Sequence, residues 1–257
     1  MLIDSHCHLD YFDADEIPAL LARAAAAGVK EVVTIGTRLA DSERVRRLAA
    51  GSPGVWCTVG QHPHDAAEAA EFTAEAIAAL ADDPGVIGIG ESGLDYFYDR
   101  SPRAAQQASF RRHIRAARLA GVPVVIHARD ADADIGTILQ EERDNGGSFE
   151  LLLHCFSSSR ELAETAVEMG GYVSFSGILT FPKSQQLREI ARDLPADRLL
   201  VETDAPYLAP VPQRGKRNEP AFVAHTAAVL ARARGMEPEA LAELTTGNFR
   251  RLFRKAA

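Results

Sequence analysis

Only three cysteines, Cys7, Cys57 and Cys155, occur among 257 residues, an odd number with wide spacing and no C-x-x-C pair. A disulfide framework is thereby excluded, and the thiols read as reduced, as in a reducing compartment. Cations are also in deficit: 28 Lys and Arg face 36 Asp and Glu, for a net charge of -8. A protein that grips nucleic acid mainly through its surface charge is usually basic, so any such binding here must be local. No apolar run approaches the roughly 18 residues of a membrane span, and no basic segment with an apolar core opens the chain. Those absences predict a cytoplasmic protein. No G-x-G-x-x-G turn follows any predicted strand, which argues against the rival architecture of an open doubly wound sheet.

What is present is a regular alternation. Short runs rich in Val, Ile and Leu predict strands from Leu2 and at Glu31–Gly36, Val55–Gly60, Val86–Gly90, Pro123–Ile126, Phe149–Leu153, Tyr172–Ser176 and Leu199–Val201. Between them, helical spacing predicts helices over Ala14–Ala27, Asp41–Ala50, Ala70–Ala81, Arg103–Ala120, Ala131–Asp144, Arg160–Met169 and Ser184–Arg192. Two more, near Pro220–Gly235 and Pro238–Phe253, close the chain, with Phe249, Leu252 and Phe253 as core. Eight strands alternating with helices in about 250 residues predict an α/β fold, the (β/α)8 barrel, as one domain over 1–257.

The chemistry gathers at the strand ends. His6 and His8 close the first strand, His62 and His64 follow the third, and Glu91, His127 and His154 end the fourth, fifth and sixth. Glu202 and Asp204 end the eighth. In such a barrel these ends converge on one face, where active sites are built. Asp4 and Asp10 flank the first pair and add two more oxygens within reach. His113 and His225 fall inside predicted helices, where a surface or capping role is expected. Imidazole with carboxylate suits zinc, manganese, iron or nickel, and four His with two acids suit two ions sharing a carboxylate. Structural zinc favours cysteine ligands, so a catalytic site is the better expectation.

The blocks LIDSHCHLD, TVGQHPH, GIGESGLDYF, PVVIHARDA, LLHCFSSS, VETDAPYL and RGKRNEPAF, in that order, resemble the TatD family of metal-dependent deoxyribonucleases. Ser92, between Glu91 and Gly93, departs from the expected apolar or Thr-like residue without touching a ligand position. The resemblance implies a barrel of the amidohydrolase type that hydrolyses phosphodiester bonds in DNA, as a 3′–5′ exonuclease. It further implies that His6, His8, Glu91 and Asp204 hold one divalent cation (Mg, Mn or Zn). Glu91 would bridge to a second, held by His127 and His154. Asp204 is the candidate to deprotonate the attacking water, with an N-cap ahead of Ala205-Pro206 as its structural alternative.

Substrate contacts are read more loosely. His62 is the better placed of the two loop histidines for a phosphate. Arg129 shares the face of His127 if the fifth strand continues, the alternative being an ion pair with Asp130 or Asp132. Arg214, Lys216 and Arg217 put three cations into four residues, the local patch a DNA backbone needs. Tyr96, Phe97, Phe156 and Tyr207 are candidate stacking partners for bases, Cys7 reads as buried, and Asn218 reads as a helix cap. Two other functions share the ligand set. One is hydrolysis at a carbon centre such as an ester, lactone or amide; the other is a metal-stabilised scaffold without catalysis.

Overall fold

The computed structural model describes residues 1–256. Eight parallel strands form one sheet in sequential order: β1 Leu2–Cys7, β2 Val29–Thr34, β3 Val55–Val59, β4 Val86–Asp95, β5 Val124–Arg129, β6 Leu151–Leu153, β7 Tyr172–Phe175 and β8 Leu199–Val201. A parallel bridge between Cys7 and Ala205 brings the two edges together. Ser5 reinforces that seam, its hydroxyl donating to the Val201 carbonyl at 3.0 Å. The helices are α1 Ile17–Ala26, α2 Ser42–Gly51, α3 Ala74–Ala79, α4 Arg103–Ala120, α5 Asp132–Gly146, α6 Arg160–Glu168, α7 Gln185–Asp193, α8 Val223–Arg234 and α9 Pro238–Leu252. None is long and apolar enough to cross a membrane.

The period of two along each strand divides the core. Val124 and Ile126, Leu151 and Leu153, and Leu199 and Val201 pack with Phe110, Ile114, Leu139 and Leu230 of the helices. The residues between them, Val125, Leu152 and Leu200, join Ile3, Ile87, Phe249 and Phe253 in a second cluster. Alternate side chains of a strand point to opposite faces, so the first set meets the helices and the second fills the barrel. The C-terminal helix α9 thereby closes the end of the barrel opposite the histidines.

Two strands run longer than their apolar cores suggest, and both extensions matter. β4 continues past Gly90 to Asp95, and β5 continues to Arg129. Their pairing persists as Gly93 with His127 and Asp95 with Arg129. A side chain on Gly93 would meet the His127 carbonyl oxygen at 2.0 Å, and its φ of +144° suits only glycine. Among the register shifts of the sheet, β1 carries one extra residue against β2 between Asp4 and Cys7, and β4 carries one against β5 between Ile89 and Ser92. Bulges re-aim side chains, and these two fall where His6 and Glu91 stand.

Candidate metal centre

Glu91 is the hub of the strand-end cluster. Its Oε1 lies 2.9 Å from His127 Nδ1, 2.8 Å from His154 Nε2 and 3.4 Å from His62 Nε2. Its Oε2 lies 3.4 Å from His6 Nε2 and 3.9 Å from His8 Nε2. Asp204 Oδ1 completes the other side, 3.3 Å from His8 Nε2 and 3.7 Å from His6 Nε2. The rings of His6 and His154 stack face to face, 3.8 Å apart. All six sequence-predicted metal residues are therefore brought to one place.

Burial by itself would raise the Glu91 carboxyl, but the imidazoles of His154, His62 and His127 outweigh it and hold the group well below the usual carboxylate range. Asp204 follows the same logic: burial raises it, and contact with His8 followed by the field of His6 brings it below its ordinary value. Both acids are thus ionised. His154 is shifted the opposite way, since Glu91 and Glu202 overcome a burial that would lower it.

The donor chemistry fits cations. His6 Nδ1 and Nε2, His8 Nδ1, Glu91 Oε2 and His154 Nε2 are all buried without a hydrogen-bond partner. Buried polar atoms are normally paired, so unpartnered ring nitrogens gathered beside two ionised carboxylates form a donor set that a cation would satisfy. Three triples have ligand atoms within 4.8 Å of one another: His6, His8 and Asp204; His62, Glu91 and His127; His6, His154 and Glu202. His62 differs from the others in its bonding. Its Nδ1 accepts the backbone N–H of His64 at 3.2 Å, which in a neutral ring leaves the proton on Nε2. Burial pushes this ring down to about 4, so it stays neutral and offers Glu91 a donor instead of a lone pair.

Asp4 and Asp10 do not join the cluster, contrary to expectation. Asp4 accepts from Thr203 N at 2.8 Å and Thr203 Oγ1 at 2.5 Å, tying β1 to the segment after β8, and its burial pushes the carboxyl up to about 8. Asp10 pairs with Arg44 at 2.6 Å. Asp204 is not a helix cap; after β8 no helix begins before Pro220. It adopts φ +58°, and its backbone carbonyl accepts the Tyr207 N–H at 2.9 Å. Asn218 is no cap either. It is buried, and its amide donates to the carbonyls of Thr203 at 2.9 Å and Tyr207 at 2.5 Å, clamping both sides of Asp204.

The cluster opens into a cleft of about 580 Å³ whose rim carries Arg38, Arg100 and Arg129 with Tyr11, Tyr98 and Tyr207. Arg129 does share the face of His127. It pairs with neither Asp130 nor Asp132 and lies over the Phe97 ring, 4.8 Å from its centroid. Arg214, Lys216 and Arg217 are not among the lining residues. Arg214 stacks on Phe181 at 3.8 Å, Lys216 donates to Gln213, and Arg217 lies over Phe12 at 4.0 Å while pairing with Glu16 at 2.9 Å. Phe156 is buried, and the Tyr96 hydroxyl is bound to Asp134 at 2.6 Å, so neither presents a free face at the mouth. His113 proves fully buried inside α4, unlike the surface or capping residue expected.

Comparison with known proteins agrees with this architecture. Residues 3–254 match the family model described as TatD related DNase. The chain belongs to the TatD family. It is 45% identical over 258 residues to an Escherichia coli (strain K12) protein named uncharacterized metal-dependent hydrolase YcfH, covering 98% of this chain and 95% of that one. A Salmonella typhimurium protein named 3'-5' ssDNA/RNA exonuclease TatD is 37% identical over 246 residues, with 94% and 93% covered. The crystal structure of YJJV, a TatD homologue from Escherichia coli K12, superposes with a TM-score of 0.90 at 29% identity over 98% of each chain. The chain is accordingly a metal-dependent hydrolase of the TatD family with that family's barrel.

Arg38, Arg100, Tyr11 and Tyr98 carried no motif signal that set them apart in this TatD-family sequence. Arg100 and Tyr98 lie only a few residues beyond GIGESGLDYF, and recognising that β4 runs to Asp95 would have placed them at the mouth.

Proposed function

We propose that this chain is a 3′–5′ exonuclease that hydrolyses phosphodiester bonds in DNA. Two divalent cations (Mg, Mn or Zn) would be held by His6, His8, Glu91 and Asp204 on one side and by Glu91, His127 and His154 on the other. The observation that carries the reading is a buried, ionised Glu91 ringed by imidazoles, several of whose ring nitrogens lack partners, at the floor of a cleft with arginines on its rim. When bound, such cations supply the charge that makes water acidic enough to attack near neutral pH and that offsets charge developing on phosphate oxygens. Asp204, ionised beside His8, takes the proton of the attacking water. His62 would share its Nε2–H between Glu91 and a phosphate oxygen. Arg129 and Arg100, which have no acidic partner among the described residues, hold neighbouring phosphates. Tyr11 and Tyr207, at 41% and 52% exposure, stand beside His8 and offer faces on which a terminal base can stack. The name of the Salmonella relative supports polarity and single-strandedness, and extends both to RNA.

The test is a product ladder from 5′-end-labelled single-stranded DNA and RNA, with Mg, Mn or Zn added to chelated protein. A metal-dependent ladder shortening from the 3′ end supports the reading. Glu91→Ala and Asp204→Ala should each abolish it while circular dichroism stays unchanged. Undiminished activity in excess chelator, or turnover confined to lactones and amides, would sink it.

A further inference from the structure

Asp95, the last residue of β4, belongs to no motif-derived ligand set, yet it is 1% exposed and makes contacts on every side. Its Oδ1 accepts the backbone N–H of Tyr98 at 2.8 Å. Its Oδ2 faces two rings at once, His64 Nε2 at 2.8 Å and His127 Nε2 at 3.1 Å. Gln106 of α4 grips its backbone from both directions: Oε1 accepts the Asp95 N–H at 2.8 Å, and Nε2 donates to its carbonyl at 3.2 Å. The carboxylate therefore has little freedom to turn.

An ionised carboxylate only accepts, so both Nε2 atoms must carry protons. In a neutral His127 ring, that leaves Nδ1 as a bare lone pair, and Nδ1 is the atom 2.9 Å from Glu91 Oε1. Two acceptors facing one another at that distance are reconciled either by a proton on Nδ1 or by a cation between them. We infer that Asp95 is a positioning residue that fixes the tautomer of His127, turning Nδ1 toward Glu91 and toward the second cation position. The inference rests on the reading of His127 as a ligand given above.

Asparagine at position 95 reverses the arrangement. Its single oxygen can satisfy the Tyr98 N–H only by turning its NH2 toward both histidines, which forces Nε2 to accept and moves the His127 proton to Nδ1. If the amide flips, its NH2 faces the Tyr98 N–H instead. Zn²⁺ titrated calorimetrically into metal-free Asp95→Asn should bind the first equivalent as in wild type. The second equivalent should bind about 10–100-fold more weakly, the usual loss when such a partner is removed. Wild-type affinity for both equivalents would overturn the role of Asp95. His127→Ala serves as the reference: if it leaves the second equivalent unchanged, the ligand reading itself fails, whereas weakening by His127→Ala alone refutes only Asp95. The tautomer can be read directly in unmutated, metal-free protein from ring ¹⁵N shifts at alkaline pH, with the rings neutral. A His127 proton on Nε2 is expected, and one on Nδ1 overturns the inference whatever the variants do.

Discussion

Acid should destabilise this protein partly through His113, and His113→Gln should blunt the effect. The ring is buried in α4, where Nδ1–H donates to the Ser109 carbonyl at 2.8 Å and Nε2 accepts the Gln61 N–H at 3.0 Å. A proton on Nε2 would set N–H against N–H. Burial, assisted by Arg112, lowers the pKa from 6.5 to about 4 against the opposing pull of the Ser109 bond. Above pH 6.5 the ring is neutral in both folded and unfolded chains, and its contribution is complete. Between 6.5 and about 4 the unfolded chain takes up the proton and the folded one does not, so stability falls with pH. Below about 4 both are protonated and the loss is finished. A gap of about 2.5 pKa units at about 1.4 kcal/mol each amounts to about 3.5 kcal/mol. The mouth should feel it as well. Gln61 accepts from Leu39 N and donates to the Asp65 carbonyl, holding the loop that carries His62 and His64. The assay is urea unfolding of wild type and His113→Gln across the acidic range, where other titrating groups cancel in the difference. The variant should be about 1 kcal/mol less stable at neutral pH, from imperfect replacement of the hydrogen bonds, and should overtake wild type in acid. Parallel stability profiles for the two proteins would refute the argument.

Further expectations follow from the same geometry. Gly93→Ala places a methyl against the His127 carbonyl at 2.0 Å, so β4 must separate from β5. The variant should lose several kcal/mol of stability or fail to fold, checked by thermal melting. Arg129→Ala should weaken binding to single-stranded DNA and reduce the slope of log K against log salt by about 0.7, the value for one phosphate contact. Neutralising Arg214, Lys216 and Arg217 together should change that slope less, because Arg217 is already paired with Glu16 and Arg214 is stacked on Phe181. A larger effect from the triple variant than from Arg129→Ala would move the strand's path to that loop.

The apolar runs and their punctuation were enough to specify eight strands, the alternating helices and the end of the barrel at which His6, Glu91, His127, His154 and Asp204 meet. Periodicity and strand order are local properties, and a parallel barrel converts them into convergence automatically. Residue type likewise announced the chemistry, because imidazole and carboxylate at strand ends have few other uses. Partner choice was decided by the tertiary structure alone. Asp4 turned to Thr203 and Asp10 to Arg44, while Asp95, hidden past a glycine that ends the apolar run, reached His64 and His127. His113 left the surface assigned to it for the back of the Gln61 loop. Which acid faces which ring depends on two one-residue bulges and on backbone brought together from distant positions. Spacing along the chain records neither, since a hydrogen bond senses only the distance and direction between atoms once the barrel has closed.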